Sequence, residues 1–562
     1  MVTNKRVLDL EQMSPEHTKL LNEIADKEKR KYTNLIDVFS AKYGESRFWW
    51  ATTLASRDTL LERGFFSFCI VKLVFELLKR DNYNEIIVPL YSIKKCLEDN
   101  LPGTKIVWKG SEKNFKRNIH RAKIEFLKYL CKTMKFRKKF LKNKYIKYEL
   151  KGKNVFLVDT YDVIGEVSGI KYYDRYFGGL SENTEERIIY FSHPFCESRV
   201  DEEKLINIIN NKKDRLIYEC YFKWMDIFEI FKYWRFCGSI VFNDASVDGI
   251  DMKWILEGEL KCGESALNSF YGLLKSKAMF RFMKKSGANV KGIIGWYEGQ
   301  PSSNTLFFEV RRRTNIPTMA YVLTPMFEFN LGLSPSKMQI KMKGTAEYFG
   351  IQGEIWEEQI KEYAHDIKIV KAPSFRFQDL FEQLPEKKEG DEIILVLSGL
   401  QEVSRDMILT FDKIKMPKKT IKIKNHPANA SKGLKDYGIE QKELNNKYEF
   451  VHGSMDETLN GVKVAIVSET TSALEILIRG AKVIVWNRSG TLRRSCIPNK
   501  ILEKQYVKIV YTIDELKMNI EEVYNSKLNE KDLLMIRNES FTDFSIETVN
   551  NFLKFLEIAK EV

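Results

Sequence analysis

Val462-Lys463-Val464-Ala465-Ile466-Val467-Ser468-Glu469-Thr470-Thr471-Ser472-Ala473-Leu474-Glu475-Ile476-Leu477 is the stretch from which the fold is read. Its opening run is short, apolar and rich in β-branched residues, the pattern of a buried parallel strand. Ala473 to Leu477 then follows a helical pattern. Between them stand four hydroxyl residues and one acid, Ser468, Glu469, Thr470, Thr471 and Ser472. A strand that ends in such a turn and feeds a helix gathers backbone N–H groups and hydroxyl donors at one point, which suits a phosphate or carboxylate. One hydroxyl alone would do no more than cap the helix; five polar residues in one turn exceed that need.

A second cluster lies upstream. Lys419-Thr420-Ile421-Lys422-Ile423-Lys424-Asn425-His426-Pro427 alternates like a strand and is stopped by proline. Proline holds the residue before it extended, so His426 is expected at a strand's C-terminal end, beside Lys424 and Asn425. Ligands of open α/β sheets bind at those ends, which predicts that the two clusters face one crevice.

Outward from there the chain alternates. Strands are expected at 85–90, 105–108, 155–158, 188–191 and 239–242, with helices at 65–78, about 202–235 and 264–285. Val290 to Trp296 reads as a strand that delivers Glu298 and Gln300 at its end before Pro301 stops it. A helix over 304–313 and a strand over 318–323 complete a βαβ unit. Further strands are expected near 367, 393, 420, 449, 464, 483 and 508. Ser192-His193-Pro194 also follows a strand, but without a partner turn it reads as structural. In the Trp49-Trp50 region, polar residues follow the tryptophan pair and lead to Asp58.

At 562 residues the chain is too long for one core. The reading is an α/β protein of two Rossmann-like domains: a charged helical lead-in over 1–30, a first domain over 31–345, and a second over 346–562. The glycines at 332, 344, 350 and 353 mark the expected join. Apolar content of 44% and aromatic content of 12% exclude general disorder. Eight cysteines show no CxxC spacing and there are only six histidines, so no metal site is expected and a reducing cytoplasm fits. The first thirty residues lack an apolar h-region, and no apolar run approaches the roughly 18 residues of a spanning helix.

The net charge of +14 is local. Residues 111–153 hold sixteen Lys/Arg against Glu112, Glu125 and Glu149, an excess of thirteen. Ile124, Phe126, Leu127, Leu130, Met134, Phe136, Phe140 and Leu141 recur among them at helical spacing. This reads as a basic amphipathic insertion (110–153) in the first domain, suited to an anionic membrane surface; the alternative is a stripe packed on its own domain. No nucleic-acid-binding signature accompanies the charge, so no nucleic-acid partner is expected.

Two α/β domains with a phosphate-type site in the second and a strand-end carboxylate in the first predict a cleft enzyme. The first domain would hold an acceptor and the second an activated donor. For glycosyl transfer, an acid deprotonates the acceptor hydroxyl while cationic and hydroxyl groups offset charge on the leaving phosphate. Glu298 is the first candidate for the base and Asp58 the second, with His426, Lys424 and the 468–472 turn on the phosphate.

These residues carry a resemblance. The chain resembles GT-B-fold glycosyltransferases of bacterial surface-carbohydrate biosynthesis, the group related to Kdo transferases and bacterial sialyl- and polysialyltransferases. Lys424-Asn425-His426-Pro427 is similar to their His-Pro motif, and Ser468-Glu469-Thr470-Thr471-Ser472-Ala473 to their serine/threonine motif. Trp49-Trp50 with Ser56-Arg57-Asp58, and Trp296 to Gln300, resemble first-domain motifs of the surface-carbohydrate group. Tyr321-Val322-Leu323-Thr324-Pro325 departs from the Gly-Tyr-Gln-Gly type of turn found there. The resemblance implies a nucleotide-sugar donor, typically CMP-linked, no bound cofactor, and a glycan or glycolipid acceptor. It also implies a peripheral position on the inner face of the cytoplasmic membrane. The alternatives are a CDP-glycerol-type polyol-phosphate transferase of teichoic-acid-like assembly, a sugar-nucleotide epimerase, and a non-catalytic membrane-docked scaffold.

Overall fold

The computed structural model describes residues 6–60, 62–110, 150–163, 167–168, 171–172, 176–182, 184–195, 212, 214–261, 266–382, 390–416 and 420–558, with scattered positions from 124 to 138. Three short parallel strands, β1 (Val7–Asp9), β2 (Glu85–Ile87) and β3 (Lys105–Val107), open the chain. Helix α1 (Pro15–Tyr43) starts where Ser14 accepts a hydrogen bond from the His17 N–H, with proline in the first turn. Leu21, Ile24, Ala25, Tyr32, Leu35, Ile36 and Phe39 recur at helical spacing on its buried face. That face packs on α2 (Gly64–Leu78), which is apolar nearly throughout and buried. The expected lead-in over 1–30 is therefore not a separate unit, because α1 runs unbroken through residue 30 and buries its apolar face.

Two larger sheets follow, and every neighbouring pair of strands in them is parallel. The first contains β4 (Asn154–Val163), β5 (Ile188–Phe195), β6 (Arg215–Ile217), β7 (Asn289–Trp296), β8 (Thr318–Val322), β9 (Tyr348–Ile351) and β10 (Lys368–Lys371). Its spatial order is β10-β9-β8-β7-β4-β5-β6. The second contains β11 (Glu392–Val396), β12 (Thr420–Lys424), β13 (Lys447–Phe450), β14 (Val462–Val467), β15 (Lys482–Trp486) and β16 (Val507–Val510), in the order β13-β12-β11-β14-β15-β16. In each, the chain builds outward to one side and then returns to build the other, which is the doubly wound Rossmann-like pattern. The protein is α/β with two such domains.

Burial on both faces explains the near-continuous apolar strands. In β4, Val155 and Leu157 face α4 (Ala266–Ser286) and α5 (Pro301–Arg313), while Phe156 and Val158 face the opposite layer. That opposite layer includes the C-terminal helix α7 (Ile546–Ile558), whose Val549, Phe552 and Leu553 are buried there. A third core joins the domains: Tyr297, Phe307, Phe349 and Trp356 of the first cluster with Ile394, Ala465, Leu474 and Val483 of the second.

Two expectations are corrected. The join is not at residue 345, since β9 and β10 add to the first sheet in register with β8, and α7 packs back on that sheet. Both sheets use the same apolar strand composition, so only pairing distinguishes them. The strand expected at 239–242 does not form: α3 (Ile227–Ser239) occupies its start, and Phe242 packs edge-on to Phe39 of α1. Most of the basic insertion lies outside the described residues. Of its apolar residues that are described, Leu130 and Met134 are buried in the first domain's core and Ile124 and Leu127 are exposed.

Phe552 packs tilted against Tyr321 and edge-on to Phe375, with ring centroids 5.9 and 6.3 Å away. Phe552→Ala is expected to cost about 3–5 kcal/mol of unfolding free energy by removing a buried ring. Urea denaturation reads this directly, and a loss below about 1 kcal/mol would detach α7 from the first domain.

Candidate active site

Each sheet reverses its direction of growth at one gap, between β4 and β7 in the first and between β11 and β14 in the second. Such switch points leave an open crevice at the carboxyl ends of the strands. Beyond β7 the chain runs Tyr297-Glu298-Gly299-Gln300 before Pro301 begins α5, so Glu298 emerges beside the first gap. It keeps part of its surface open, and one carboxylate oxygen accepts from the Gln300 amide at 3.2 Å. Gln300 in turn accepts from the Tyr161 hydroxyl of β4 at 3.2 Å, and Tyr161 stands edge-on to Trp296.

Asp58 reaches the same place from the other side of the first domain. Gly299 has φ +83°, and a Cβ there would lie 2.5 Å from the carbonyl carbon of Gly332. A Cβ on Gly332 would lie 2.7 Å from the Ser56 carbonyl oxygen and 3.2 Å from the Asp58 nitrogen. Three backbone segments thus touch without a side chain between them. Tyr297 donates to the Gly332 carbonyl at 3.0 Å, and Asn330 donates to that of Glu298 at 3.2 Å. Arg57, buried with φ +53°, donates to Thr33, to the Ser334 carbonyl and to Gln339, which anchors the turn that carries Asp58.

The two carboxyl groups titrate abnormally. Burial pushes Asp58 up to about 8; the Leu60 N–H and Arg494 oppose this, and the charge of Glu298 adds to it. Burial likewise raises Glu298 to about 7, opposed by Arg376 and by the Gln300 hydrogen bond. Glu298 therefore gains and loses its proton near neutral pH, beside Asp58, which holds its proton to higher pH. Arg311, on the helix that follows, donates to the Thr345 carbonyl at 2.9 Å.

The second domain supplies the facing wall. Ser468 to Thr471 follow β14 directly, and Ser472 begins α6 (Ser472–Ile478). Thr470 Oγ1 accepts from the Ser472 N–H at 3.2 Å in a local turn, while Thr471, the residue at the helix N-cap, makes no side-chain cap bond. Ser468 Oγ is buried and has no hydrogen-bond partner among the described residues, and Glu469 adopts φ +46°, a left-handed conformation costly for a side-chain-bearing residue. Such strain is held by its surroundings, here by Arg494, 3.3 Å from the Glu469 carboxylate. Arg494 also donates to the Thr59 carbonyl at 3.4 Å, and so bridges the Ser468 turn to the Asp58 turn across the domain gap.

Lys424 and His426 lie at the carboxyl end of β12, two strand spacings from β14, about 10 Å. Lys424 donates to the Gly453 carbonyl at 2.8 Å; burial lowers its pKa, while Glu475 of α6 and Glu457 raise it. Its ammonium group thus feels the helix that follows the Ser468 turn. The half-buried His426 ring packs against Gly399, in the turn after β11, where a Cβ would lie 3.3 Å from Nδ1. Asn425 is engaged structurally, donating to the Lys432 carbonyl at 2.7 Å and accepting from Tyr437 at 2.8 Å; Pro427 is exposed. Trp49 and Trp50 are fully buried, donating to Ser40 Oγ and to the Gly44 carbonyl, and serve the helical core. The structure therefore gathers Asp58, Glu298 and Glu469, with Ser468 and Thr470 beside them and Lys424 and His426 further along the same sheet edge.

Arg494 and Arg376 escaped the sequence reading. Arg494 sits in the loop after β15, at the same carboxyl edge as the two recognised clusters. Applying the strand-end rule to β15 points to its Arg493-Arg494 pair. Arg493 is spent on an ion pair with Glu328, which straps this loop to the first domain.

No family model matches the chain, and no curated protein matches it. Among solved structures it is similar to MurG of Acinetobacter baumannii (11% identity, 73% of this chain and 100% of that one, TM-score 0.39). It is also similar to UGT89C1 of Arabidopsis thaliana complexed with UDP-L-rhamnose (10% identity, 73% and 100%, TM-score 0.40). The likeness to a GtfA/B complex spans 51% of this chain and 61% of that one, at 12% identity and TM-score 0.35. The fold assignment rests on the two sheets themselves.

Because its folded pKa is raised, Asp58 contributes stability that is whole below the ordinary aspartate value of 3.8 and is lost as pH rises through about 8. Asp58→Asn carries no such loss. Its melting temperature relative to wild type is expected to climb between about pH 4 and about pH 8 and then level off. A pH-independent difference in calorimetry would mean that Asp58 is not buried as an acid.

Proposed function

We propose that the protein is a glycosyltransferase that moves a sugar from a CMP-linked donor, of the Kdo or sialic-acid kind, to a surface polysaccharide or lipid-linked glycan at the cytoplasmic membrane face. The observation that carries this reading is the Asp58–Glu298 carboxyl pair, joined through Arg494 to the Ser468 turn of the second domain. A proton acceptor and a phosphate-type turn then border one cleft, as transfer from a nucleotide sugar requires.

In this mechanism Glu298 takes the proton of an acceptor hydroxyl, and that oxygen bonds to the anomeric carbon of the donor. The bond from the anomeric carbon to the phosphate oxygen breaks, and its electron pair leaves with CMP. Lys424, His426, Arg494 and the hydroxyls of Ser468, Thr470, Thr471 and Ser472 offset the charge on the departing phosphate. A monophosphate carries less charge than a diphosphate, and these groups offset it without a metal. Glu298, raised to about 7, matches the requirement that a general base titrate near its working pH. Asp58 stays protonated and can donate a hydrogen bond to the substrate. Among the described residues no helix is long and apolar enough to cross a membrane, so the membrane position proposed is a peripheral one.

A thermal-shift panel of CMP, CDP, UDP and GDP tests the donor: stabilisation by CMP above the diphosphates is expected, and preference for a diphosphate overturns the CMP reading. Glu298→Gln should leave CMP binding intact while transfer falls by roughly 10²–10⁴. The wild-type rate should rise with pH through about 7 as Glu298 ionises. His426→Ala should cost about 2–4 kcal/mol of transition-state stabilisation. Turnover within about threefold of wild type, under 1 kcal/mol, removes His426 from the site.

A further inference from the structure

Four large apolar side chains crowd one outer face of the first domain. Trp224, Met225, Phe228 and Phe231 are 58%, 72%, 56% and 52% exposed. They fall on a single side of α3 and the turn leading into it, with Phe228 about one helical turn beyond the adjacent Trp224–Met225 pair and Phe231 about one turn beyond Phe228. The opposite side of α3 carries Ile230 and Tyr233 into the core. Single exposed hydrophobic residues are ordinary in folded proteins, whereas a contiguous rank of this kind marks a binding surface.

The charges around this face are sorted. Both acids of residues 223–239 turn inward: Asp226 is 1% exposed and pairs with Arg281, and Glu229 is 4% exposed and pairs with Arg47 and Lys277. The exposed charges of the same stretch are Lys223, Lys232 and Arg235, all positive. Leu130 and Met134 of the lysine-rich segment enter the same core as Ile230 and Tyr233. Lys132 and Lys135, next to them in the chain, are exposed.

We propose that this α3 face, with Trp224, Met225, Phe228 and Phe231 inserted and Lys223, Lys232 and Arg235 level with the headgroups, docks the protein on an anionic lipid surface. Aromatic rings and a methionine sink to the acyl boundary, while lysine and arginine stems reach back to the phosphates. Charge complementarity selects the occupant, since a negative surface meets three exposed cations, of which Lys232 is also 3.5 Å from the buried Glu229, and no exposed acid within this stretch. The basic segment supplies the long-range attraction, and α3, not the Leu130–Met134 stripe, supplies the apolar contact. The inference rests on the peripheral-membrane part of the proposed function and gives it a surface.

The test is cosedimentation of the full chain with vesicles of phosphatidylglycerol and phosphatidylcholine, against phosphatidylcholine alone. Wild type is expected to bind the anionic vesicles and to be released by added salt. The Trp224→Ser, Phe228→Ser, Phe231→Ser variant should lose at least about tenfold in partitioning. Lys223→Gln, Lys232→Gln and Arg235→Gln should each lose about fivefold. The proposal is overturned if wild type ignores anionic vesicles or if the triple serine variant binds them equally. It is also overturned if sedimentation velocity shows a wild-type dimer that the triple variant dissolves without any vesicle binding by either, because the face would then be a self-association surface. The CMP thermal shift should be the same in wild type and triple variant. If CMP shifts neither while vesicle binding follows α3, the donor assignment fails and the docking surface stands.

Discussion

Gly299 and Gly332 meet backbone to backbone, and a side chain on either would force the Glu298 turn away from the Asp58 turn. The chemistry proposed for the cleft depends on that contact. Two carboxyl groups from segments 240 residues apart are held close enough that the charge of one raises the pKa of the other. Neither strand composition nor helix propensity could bring them together. Absence of a Cβ at two positions, backed by the Tyr297 and Asn330 hydrogen bonds, does so.

Burial then decides their protonation. Removing a carboxylate from water costs more than the weak local partners return, so both acids are pushed upward, Asp58 further than Glu298. The ordering follows from exposure, since Glu298 keeps part of its surface open and Asp58 is 1% exposed. Arg494 moderates this from the second domain. It opposes the rise at Asp58 while holding Glu469 in a strained conformation, so one guanidinium links the electrostatics of one wall to the backbone geometry of the other.

The same separation of charge shapes the outside. Around α3 the acids are drawn inward by Arg47, Lys277 and Arg281, which strips the outer face of negative charge and leaves its aromatic residues among cations. Ion pairs beneath the surface thus define what the surface can attract. This is why the apolar stripe of the lysine-rich segment is a poor guide by itself: Leu130 and Met134 are spent on the domain's own core.

By itself the sequence determined the local elements. Period-two and 3.6-residue patterns locate strands such as Val462–Val467 and Thr420–Lys424 and helices such as α4, because those periods depend only on which side chains can share a face. It also determined that Glu298 stands at a strand end, since Pro301 must begin something new, and that Ser468 to Ser472 form a turn. Tertiary structure alone decided which strand joins which sheet, and so moved β9 and β10 to the first domain and left 239–242 without a neighbour to pair with. It decided that α7 crosses back, that Arg494 spans the cleft and that Asp58 meets Glu298. These outcomes depend on pairing order and on contacts between residues far apart in the chain, where the free energy comes from burial and close approach and leaves no local periodic trace.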